Sequence, residues 1–357
     1  MTALADLLAA RIAATGPITL ADYMADCLLH PQHGYYCTRD PFGVAGDFIT
    51  APEISQMFGE LLGLCLAQSW LDQGQPTPFT LAEPGPGRGT LMADILRATR
   101  AVPGFRAALR LHLVEASPTL RAIQAQTLSD QALSAHAPIW CDTLADLPDG
   151  PLFLVANEFF DALPIRQFQR SGPGWRERMV GLNGGALGFG LGPETRVAAL
   201  DPRLPDTAPG QIVEYCPAAG PLIQQMVSRI ATHGGLALIV DYGGWQSRGD
   251  TFQALKSSAF ADPFAQPGRA DLTAHVDFAA LTAAAAPLSH AFTTQGVLLQ
   301  RLGIAARAAR LARGLTGGAL QSHLAATRRL TDDAEMGTLF KALVLYPAAC
   351  PLPAGFA

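Results

Sequence analysis

Lysine is scarce in this chain: Lys256 and Lys341 are its only examples, and arginine supplies the remainder of the 25 basic residues. Acidic side chains outnumber basic ones by 30 to 25, which gives a formal net charge of −5. Domains that bind nucleic acid normally carry a basic surface. The charge balance therefore gives no support for a nucleic-acid partner.

Cysteine is also sparse, with six scattered residues and no pair at the CxxC spacing. A zinc site or a disulfide framework needs paired or closely spaced cysteines. We therefore expect no bound metal, and we expect the cysteines to be mostly buried free thiols. The chain likewise lacks a run of ~20 apolar residues that could cross a membrane, so no stable membrane insertion is expected.

The N-terminal segment lacks the features of a targeting sequence. Its first residues, MTALADLLAAR (1–11), have an amphipathic helical pattern with an early acid at Asp6 and no basic residues before it. A secretory signal begins with basic residues, and a transit peptide is rich in arginine and poor in acids. The segment therefore predicts a cytoplasmic protein of bacterial type.

The composition predicts a large buried core, because hydrophobic residues make up 49% and charged residues 15% of the 357 residues. A chain of this length is expected to form one large domain with additions, or two domains. The pattern predicts a helical cap and substrate element over residues 1–75 and a core over 76–357. Two insertions interrupt the predicted core, a β-hairpin within about 164–214 and a helical segment at about 295–330.

Short apolar runs alternate with helical patterns from residue 76 onwards, which predicts a Rossmann-like α/β fold. Because helical crossovers join parallel strands, the sheet is expected to be mostly parallel. The seven predicted strands cover residues 79–83, 111–115, 139–141, 152–156, 236–241, 289–293 and 342–346.

A glycine-rich loop follows the first predicted strand and precedes a helix, in the run LAEPGPGRGT (81–90). Glycine lets the backbone approach a ligand closely, although a sharp strand-to-helix connection uses glycine as well. Dinucleotide enzymes carry GxGxxG, whereas this loop has GxGxG with an acid two residues before it. The spacing favours a class I methyltransferase that binds S-adenosylmethionine, a cofactor without phosphates that ends in an amino acid, over a dinucleotide oxidoreductase.

Two more acids follow the next predicted strands. Glu115 lies 26 residues after Gly89 at the end of the second strand, where a carboxylate can accept hydrogen bonds from both ribose hydroxyls. Asp142 follows the third strand, where it either contacts the adenine amino group or begins an ordinary turn. The predicted cofactor-binding residues are Glu83, Gly85, Gly87, Gly89, Glu115, Asp142 and Asn157.

Polar residues crowd the end of the fourth predicted strand, at Asn157, Glu158 and Asp161. Asn and Asp are also common turn residues, so an ordinary turn is the alternative. If the methyl acceptor is a guanidinium, its pKa above ~12 keeps it charged, and two carboxylates can bind it in bidentate fashion. We therefore predict catalytic roles for Glu158 and Asp161, with Asn157 beside them.

Two further polar clusters are the runs GDFITAPE (46–53) and DLTAHVDF (271–278). Each has a structural alternative: Glu53 in a first helical turn favours the helix dipole, and Thr273 can cap the helix that follows. A lone histidine is most often structural. The functional interpretation gives His275 a catalytic role and assigns substrate binding to Asp47, Phe48, Thr50, Glu53, Asp271 and Thr273.

With these segments in view, the chain resembles the MidA-like family of mitochondrial and bacterial methyltransferases. That family includes a mitochondrial complex I assembly factor that methylates arginine on a core complex I subunit. The resemblance covers residues from about 20 to about 280. The matching runs are HGYY (33–36), GDFITAPEISQMFGE (46–60), EPGPGRGTL (83–91), NEFFDALP (157–164), DYG (241–243) and DLTAHVDF (271–278).

The resemblance implies a cofactor, a partner and a set of site residues. S-adenosylmethionine would bind at Gly85, Gly87, Glu115 and Asp142, and a protein partner such as a complex I subunit would be methylated on arginine. One run departs from the family, because KSSAF (256–260) stands where a histidine-containing segment is expected. The implied acceptor pocket is lined by Asp47, Glu53, Asn157, Glu158, Asp161 and His275.

Three functions stay open at this point. The first is a protein arginine N-methyltransferase whose N-terminal helices and 164–214 insertion bind a polypeptide. The second is a methyltransferase for a small molecule, and the third is an assembly chaperone that keeps the cofactor pocket for structure or sensing. The acids between residues 157 and 161 favour catalysis over binding alone. The apolar N-terminal helices either cover the core or form a homodimer.

Overall fold

Segments that are distant in the sequence come together in this fold. The computed structural model describes residues 2–38, 50–131, 137–257 and 259–356. It divides into two units, each assembled from separated segments of the chain. The first unit comprises Met1–Phe48, Phe160–Gly220 and Gly244–Phe278, and the second comprises Ile49–Phe159, Pro221–Gly243 and Ala279–Ala357.

The described chain contains both helices and strands, and the two types alternate regularly only between residues 56 and 157. The helices are α1 (Ala3–Thr15), α2 (Leu20–Leu29), α3 (Tyr35–Thr38), α4 (Ala51–Ile54), α5 (Gln56–Asp72), α6 (Thr90–Thr99), α7 (Phe105–Ala108), α8 (Pro118–Leu128), α9 (Ala219–His233), α10 (Phe278–Ala283), α11 (Gln295–Arg301), α12 (Ile304–Leu311), α13 (Gly317–Thr331) and α14 (Met336–Leu339). Short 3₁₀ turns cover Ser129–Gln131, Leu144–Asp146 and Ala198–Arg203. The strands are β1 (Ile18–Thr19), β2 (Phe79–Pro84), β3 (Leu109–Val114), β4 (Ile139–Cys141), β5 (Leu152–Asn157), β6 (Arg166–Ser171), β7 (Gly174–Asn183), β8 (Ala186–Thr195), β9 (Ile212–Tyr215), β10 (Gly235–Gly244), β11 (Gln253–Lys256), β12 (Ala259–Ala261), β13 (Asp271–Thr273), β14 (Val276–Asp277), β15 (Ser289–Thr294) and β16 (Phe340–Tyr346).

The second unit is built on a mostly parallel sheet. Within the described residues, its main path runs in the order β15-β16-β10-β5-β2-β3-β4. The strands from β10 to β4 are parallel, whereas β16 is antiparallel to both β10 and β15. Every residue of β2 and β5 is buried. Such continuous burial is typical of parallel strands that are covered on both faces.

Helix α5 packs closely against α6 because two glycines remove side chains from the contact. A Cβ added at Gly59 would lie 2.6 Å from the Cβ of Asp94, and one added at Gly63 would lie 2.9 Å from the Cα of Ile95. Both distances are too short for real atoms, so these glycines set how closely the helices approach.

A buried carboxylate connects α5 with two other helices. Glu60 lies 2.7 Å from Nε of Arg307 on α12 and 3.3 Å from Nη2 of Arg97 on α6. Burial raises the pKa of Glu60, but the ion pairs with Arg307 and Arg97 outweigh it, so the net pKa is lowered. Glu60 is therefore a paired, structural acid.

The first unit joins the N-terminal helices to the inserted strands. In its described part, the larger sheet has the order β1-β7-β6-β9, and β8 also pairs with β7. A smaller sheet has the order β12-β11-β13, and the pairings in both sheets are antiparallel. One apolar core unites the helices with these strands and includes Leu4, Leu8, Ile12, Met24, Val180 and Leu272.

The predicted α/β class with a mostly parallel sheet is confirmed. The seven predicted strands correspond to β2, β3, β4, β5, β10, β15 and β16. Counted over the described residues, the sheet has eight strands. The predicted number is one too low because a two-residue strand is too short to give a recognisable apolar pattern.

The predicted division of the chain differs from the division into these units. The boundary predicted between residues 75 and 76 would group α5 with the N-terminal helices, whereas α5 belongs to the second unit. The physical reason is its packing against α6. Residues 164–214 contain β6 to β9 rather than a single hairpin, and residues 295–330 contain α11, α12 and most of α13.

The described ranges show neither a membrane-spanning helix nor a metal-binding cluster. No helix in them is long and apolar enough to span a membrane. Nor do they contain a group of three or more His, Cys, Asp or Glu side chains suited to holding a metal ion. The six cysteines are thiols: Cys27, Cys65 and Cys141 are buried, and Cys37, Cys216 and Cys350 are partly exposed.

The contact between α5 and α6 predicts that a side chain added at Gly63 destabilises the protein. Gly63→Ala should lower the free energy of unfolding by about 1–3 kcal/mol, because the new methyl group meets the backbone of α6. The control is Gly318→Ala in α13, where a Cβ would meet nothing within 4 Å. That substitution should be neutral or stabilising, since alanine favours a helix over glycine. Urea unfolding of both variants checks this, and equal midpoints for the two would contradict it.

Candidate active site

Strands β2 and β5 lie side by side at the centre of the second unit's sheet. Ala82 of β2 pairs with Leu154 of β5, while β3, the next strand in the chain, lies on the other side of β2. The strand order therefore reverses between β2 and β5, and open α/β sheets bind ligands beyond the carboxyl ends of the strands at such a point. Gly85 and Glu158 are the first residues after these two strands.

The loop after β2 has a left-handed backbone at three glycines. The φ angles are 62° at Gly85, 53° at Gly87 and 82° at Gly89, and Gly89 also caps the start of α6. Other residues rarely adopt this conformation. A Cβ added at Gly85 would lie 3.1 Å from Cδ2 of the Phe159 ring. The loop therefore needs glycine both for its conformation and for its close contact with the segment after β5.

Glu83 is a buried acid near the end of β2, two residues before Gly85. Its side chain is 3% exposed. Its Oε2 atom is buried and has no hydrogen-bond partner within the described residues. Burial raises the pKa of Glu83 to about 8. A cationic group of a ligand would satisfy this oxygen and offset the cost of its burial.

Glu115 follows β3 and is held by two hydrogen bonds. Its Oε1 accepts from the backbone N–H of Ser117 at 2.8 Å, and its Oε2 accepts from Nε2 of Gln124 at 3.1 Å. The same Nε2 donates to the carbonyl of Gly87 at 2.9 Å. Burial raises the pKa of Glu115, and these hydrogen bonds partly oppose the shift. Gln124 thus links the glycine loop to Glu115. The sequence did not reveal this role, because Gln124 is one polar residue within an amphipathic helix.

Asp142 is exposed and engaged by an arginine. Its Oδ1 lies 2.5 Å from Nη2 of Arg121, which also donates to the carbonyl of Cys141 at 3.1 Å. Arg121 Nε donates to the carbonyl of Glu115 at 2.7 Å. The structure therefore places Asp142 next to the end of β3, although the predicted contact with adenine stays a prediction.

Asn157 and Glu158 form a connected pair at the end of β5. Asn157 Nδ2 donates to Glu158 Oε1 at 3.0 Å, and the backbone N–H of Ala51 donates to the same oxygen at 3.2 Å. Asn157 Oδ1 is buried and lacks a hydrogen-bond partner among the described residues. Glu158 has a φ of 50°, a left-handed conformation that is unfavourable for a residue with a side chain. Such local strain is typical of functional sites.

Asp241 of β10 fixes the segment that follows Glu158. Its Oδ2 accepts from the backbone N–H of Phe159 at 3.2 Å, and its Oδ1 accepts from the N–H of Tyr242 at 2.9 Å. The side chain is fully buried. Asp241 therefore helps to hold Phe159 against Gly85. Asp241 ends a predicted strand, and this position is the sequence signal that could have indicated its role.

Glu53 contacts the helix that begins at the glycine loop. Its Oε1 accepts from the hydroxyl of Thr90 at 2.5 Å. Glu53 lies in the first turn of α4, whose N-cap is Thr50. The Thr50 side chain makes no capping hydrogen bond. The structure thus brings Glu53 to the start of α6, beside the predicted cofactor loop.

The remaining predicted residues within the described chain belong to the first unit. Asp271 Oδ1 accepts from the Tyr36 hydroxyl at 2.8 Å, and the backbone carbonyl of Asp161 accepts from Ala274 N–H at 3.0 Å. Burial raises the pKa of Tyr36, and the nearby carboxylates of Asp271 and Asp161 raise it further. Asp161 and the run at 271–275 therefore lie together.

Two more predicted residues of this unit have defined contacts. Thr273 Oγ1 accepts from Nε2 of Gln253 at 3.2 Å, and His275 N–H donates to Oγ1 of Thr251 at 2.8 Å. Asp47 and Phe48 lie outside the described residues. The pairing of Glu158 with Asp161 on one acceptor stays a prediction.

Comparison with known proteins identifies the family. Residues 61–296 match a family model described as "Putative S-adenosyl-L-methionine-dependent methyltransferase". The mitochondrial protein arginine methyltransferase NDUFAF7 of Danio rerio is 42% identical over 295 residues, which are 77% of this chain and 70% of that protein. Its mitochondrial homolog in Drosophila melanogaster is 37% identical over 96% of this chain and 85% of that protein.

A solved structure agrees with these sequence matches. A Burkholderia thailandensis protein crystallised with S-adenosyl-homocysteine is 32% identical and has a TM-score of 0.86, covering 99% of this chain and 94% of that one. The same fold therefore extends over nearly the whole length.

One prediction is wrong by these comparisons. The relatives from Danio rerio and Drosophila melanogaster are both named as mitochondrial, which contradicts the cytoplasmic location predicted above. That prediction rested on the composition of the N-terminal residues alone.

The orphaned Glu83 oxygen and the left-handed glycines suit a cofactor that ends in an ammonium group. The family model and the relatives settle which cofactor is used. This chain belongs to the family of S-adenosylmethionine-dependent methyltransferases that its sequence resembles.

Proposed function

We propose that this methyltransferase transfers a methyl group to a nitrogen of an arginine side chain in a protein partner. The observation that carries the acceptor class is its similarity, at 42% and 37% identity, to proteins named as protein arginine methyltransferases. A complex I subunit is the partner that the family resemblance suggests. A homodimer formed through the N-terminal helices is part of the same proposal.

Residues around the glycine loop would hold the cofactor by its two polar ends. Glu83 would accept hydrogen bonds from the ammonium group, since its buried Oε2 lacks a partner in the described residues. Glu115 would bind the ribose hydroxyls, Asp142 the adenine amino group, and the amides of Gly85, Gly87 and Gly89 would line the loop. The bound cofactor supplies an electrophilic methyl carbon on a positively charged sulfur.

Glu158 is the proposed partner of the acceptor guanidinium. A guanidinium stays protonated at neutral pH, and a carboxylate that accepts two of its hydrogen bonds orients one nitrogen for attack. The hydrogen bonds from Asn157 and Ala51 fix one oxygen of Glu158. After transfer the methylated nitrogen must lose a proton to solvent or to a base such as His275, and the Glu158 carboxylate would stay paired with the guanidinium cation that remains.

Other residues would complete the acceptor site. Asp161 would serve as the second carboxylate, as the family resemblance implies. Asn157 supports Glu158, and His275 is the remaining candidate for proton transfer. The proposed substrate contacts are Asp47, Phe48, Thr50, Glu53, Asp271 and Thr273.

The acceptor class is tested by labelling. Extract from cells that lack the enzyme is incubated with the purified protein and S-adenosylmethionine carrying a labelled methyl group. We expect label in a protein, and mass spectrometry of its peptides should place the added methyl group on arginine. A labelled metabolite without any labelled protein would instead show a small-molecule methyltransferase, and binding of a subunit without any label would show a chaperone.

Replacing the proposed catalytic acid separates catalysis from cofactor binding. Glu158→Gln should lower kcat by about 10²–10³-fold, because the amide carries no charge to stabilise the guanidinium in the transition state. The dissociation constant for S-adenosylmethionine, measured by calorimetry, should change less than about threefold. Glu335→Gln is the matched control, since Glu335 forms an exposed ion pair with Arg328 at 3.5 Å and lies outside the proposed site. Unchanged turnover in Glu158→Gln would refute the assignment.

Cofactor binding should depend on pH through Glu83. Burial raises the pKa of this carboxyl to about 8, so below pH 8 it is mostly protonated and cannot pair with an ammonium group. Affinity for S-adenosylmethionine should therefore rise with pH, by about tenfold per unit between pH 6 and pH 7. Calorimetry at several pH values measures the slope. Glu83→Gln should bind weakly with little pH dependence, and a variant that keeps the wild-type slope would show that another group is responsible.

A further inference from the structure

Helix α8 carries two polar side chains that reach three neighbouring strand ends. Gln124 is 0% exposed, although amides are usually at the surface. Its Nε2 donates to Gly87 after β2 and to Glu115 after β3, and its Oε1 accepts from Nε1 of Trp140 in β4 at 2.8 Å. The polar atoms of this amide are thus satisfied by groups from three different segments.

An amide is required at this position by the chemistry of its partners. A carbonyl and a carboxylate both need a donor, while the indole N–H of Trp140 needs an acceptor. Glutamine supplies both functions, whereas ionised glutamate supplies only acceptors and methionine supplies neither. Loss of the amide would leave buried partners unsatisfied, which costs more than the hydrogen bonds themselves contribute.

The backbone of α8 also lies directly against the glycine loop. A Cβ added at Gly89 would lie 3.5 Å from the Cα of Gln124. One turn earlier on the same helix face, Arg121 binds the carbonyls of Glu115 and Cys141 together with the carboxylate of Asp142. The glycine loop, Glu115 and Asp142 are therefore all hydrogen-bonded to one short stretch of α8.

We propose that Gln124, supported by Arg121, is a positioning residue for the cofactor site. It sets the separation between the Gly87 backbone and the Glu115 carboxylate, and so the fit of the ribose between them. The proposal rests on the cofactor role assigned to Glu115. Because Gln124 acts through the cofactor's contacts, its loss should raise KM for S-adenosylmethionine more than it lowers kcat at saturation.

The test replaces this amide by a carboxyl group and uses a second glutamine of α8 as the control. In Gln124→Glu, S-adenosylmethionine binding should weaken by about 10–100-fold at pH 8, because the introduced carboxylate faces Glu115 and the Gly87 carbonyl. At pH 6 the introduced carboxyl is protonated in part and regains a donor, so its deficit relative to wild type should shrink. Gln126→Glu makes the same change on an exposed position of the helix and should bind within about twofold of wild type at both pH values.

A neutral variant guards against a folding defect. Gln124→Met keeps the length of the side chain, and its thermal unfolding should remain cooperative. We expect KM for S-adenosylmethionine to rise about tenfold, with kcat at saturating cofactor within about threefold of wild type. A folded Gln124→Met enzyme with unchanged KM would overturn the positioning role, and so would a fall in kcat with unchanged KM.

A third variant distinguishes this proposal from the one on which it rests. Glu115→Gln should itself weaken cofactor binding if Glu115 contacts the ribose. If Glu115→Gln weakens binding while both Gln124 variants bind normally, only the positioning role of Gln124 is wrong. If Glu115→Gln binds normally, the assigned role of Glu115 is wrong and the positioning role falls with it.

Discussion

The chain must turn sharply after the adjacent strands β2 and β5 without filling the space beyond the sheet. The rest of the site depends on this constraint. After β2 the turn is made by glycine, with Gly85 close enough to the Phe159 ring that a Cβ would lie 3.1 Å away. After β5 it is made by Glu158 with a φ of 50°, which costs about 1–3 kcal/mol for such a residue. Hydrogen bonds from Asn157 and Ala51 hold this conformation. This conformation places Glu158 at the edge of the sheet, where open α/β sheets bind ligands.

The electrostatics distinguish buried acids that are paired with a cation from buried acids that have none among the described residues. Glu60 is buried but paired with Arg97 and Arg307, and its pKa is lowered. Glu83 is buried more completely, and burial alone raises its pKa to about 8. The same residue type thus shifts in opposite directions according to whether the protein supplies a cation. An acid with a raised pKa at the end of a strand beside a glycine loop favours a ligand that brings its own positive charge, as an amino-acid cofactor does.

Much of the fold was predictable because buried parallel strands give mostly apolar runs. Part of the site was predictable because residues at the carboxyl ends of these strands, such as Glu115 and Asn157, share one edge of the sheet. The role of Gln124 was not predictable, since a single glutamine in a helix has no distinctive spacing and its partners come from three segments. Asp241 and the ion pair between Arg121 and Asp142 depend on the same long-range packing. The grouping of α1 and α2 with the inserted strands likewise depends on contacts between distant segments, which no local pattern records.

The short helix α4 connects the two halves of the site within the second unit. Its first residue, Ala51, donates a backbone hydrogen bond to Glu158, and two residues later Glu53 accepts one from Thr90 at the start of α6. One turn of helix therefore contacts both the proposed acceptor carboxylate and the helix that begins at the glycine loop. Since both contacts come from one short turn of helix, a displacement of either partner would affect the other. The helix that begins at the glycine loop and the acid after β5 are thus parts of one hydrogen-bonded arrangement, and the proposed reaction would need both in a fixed relative position.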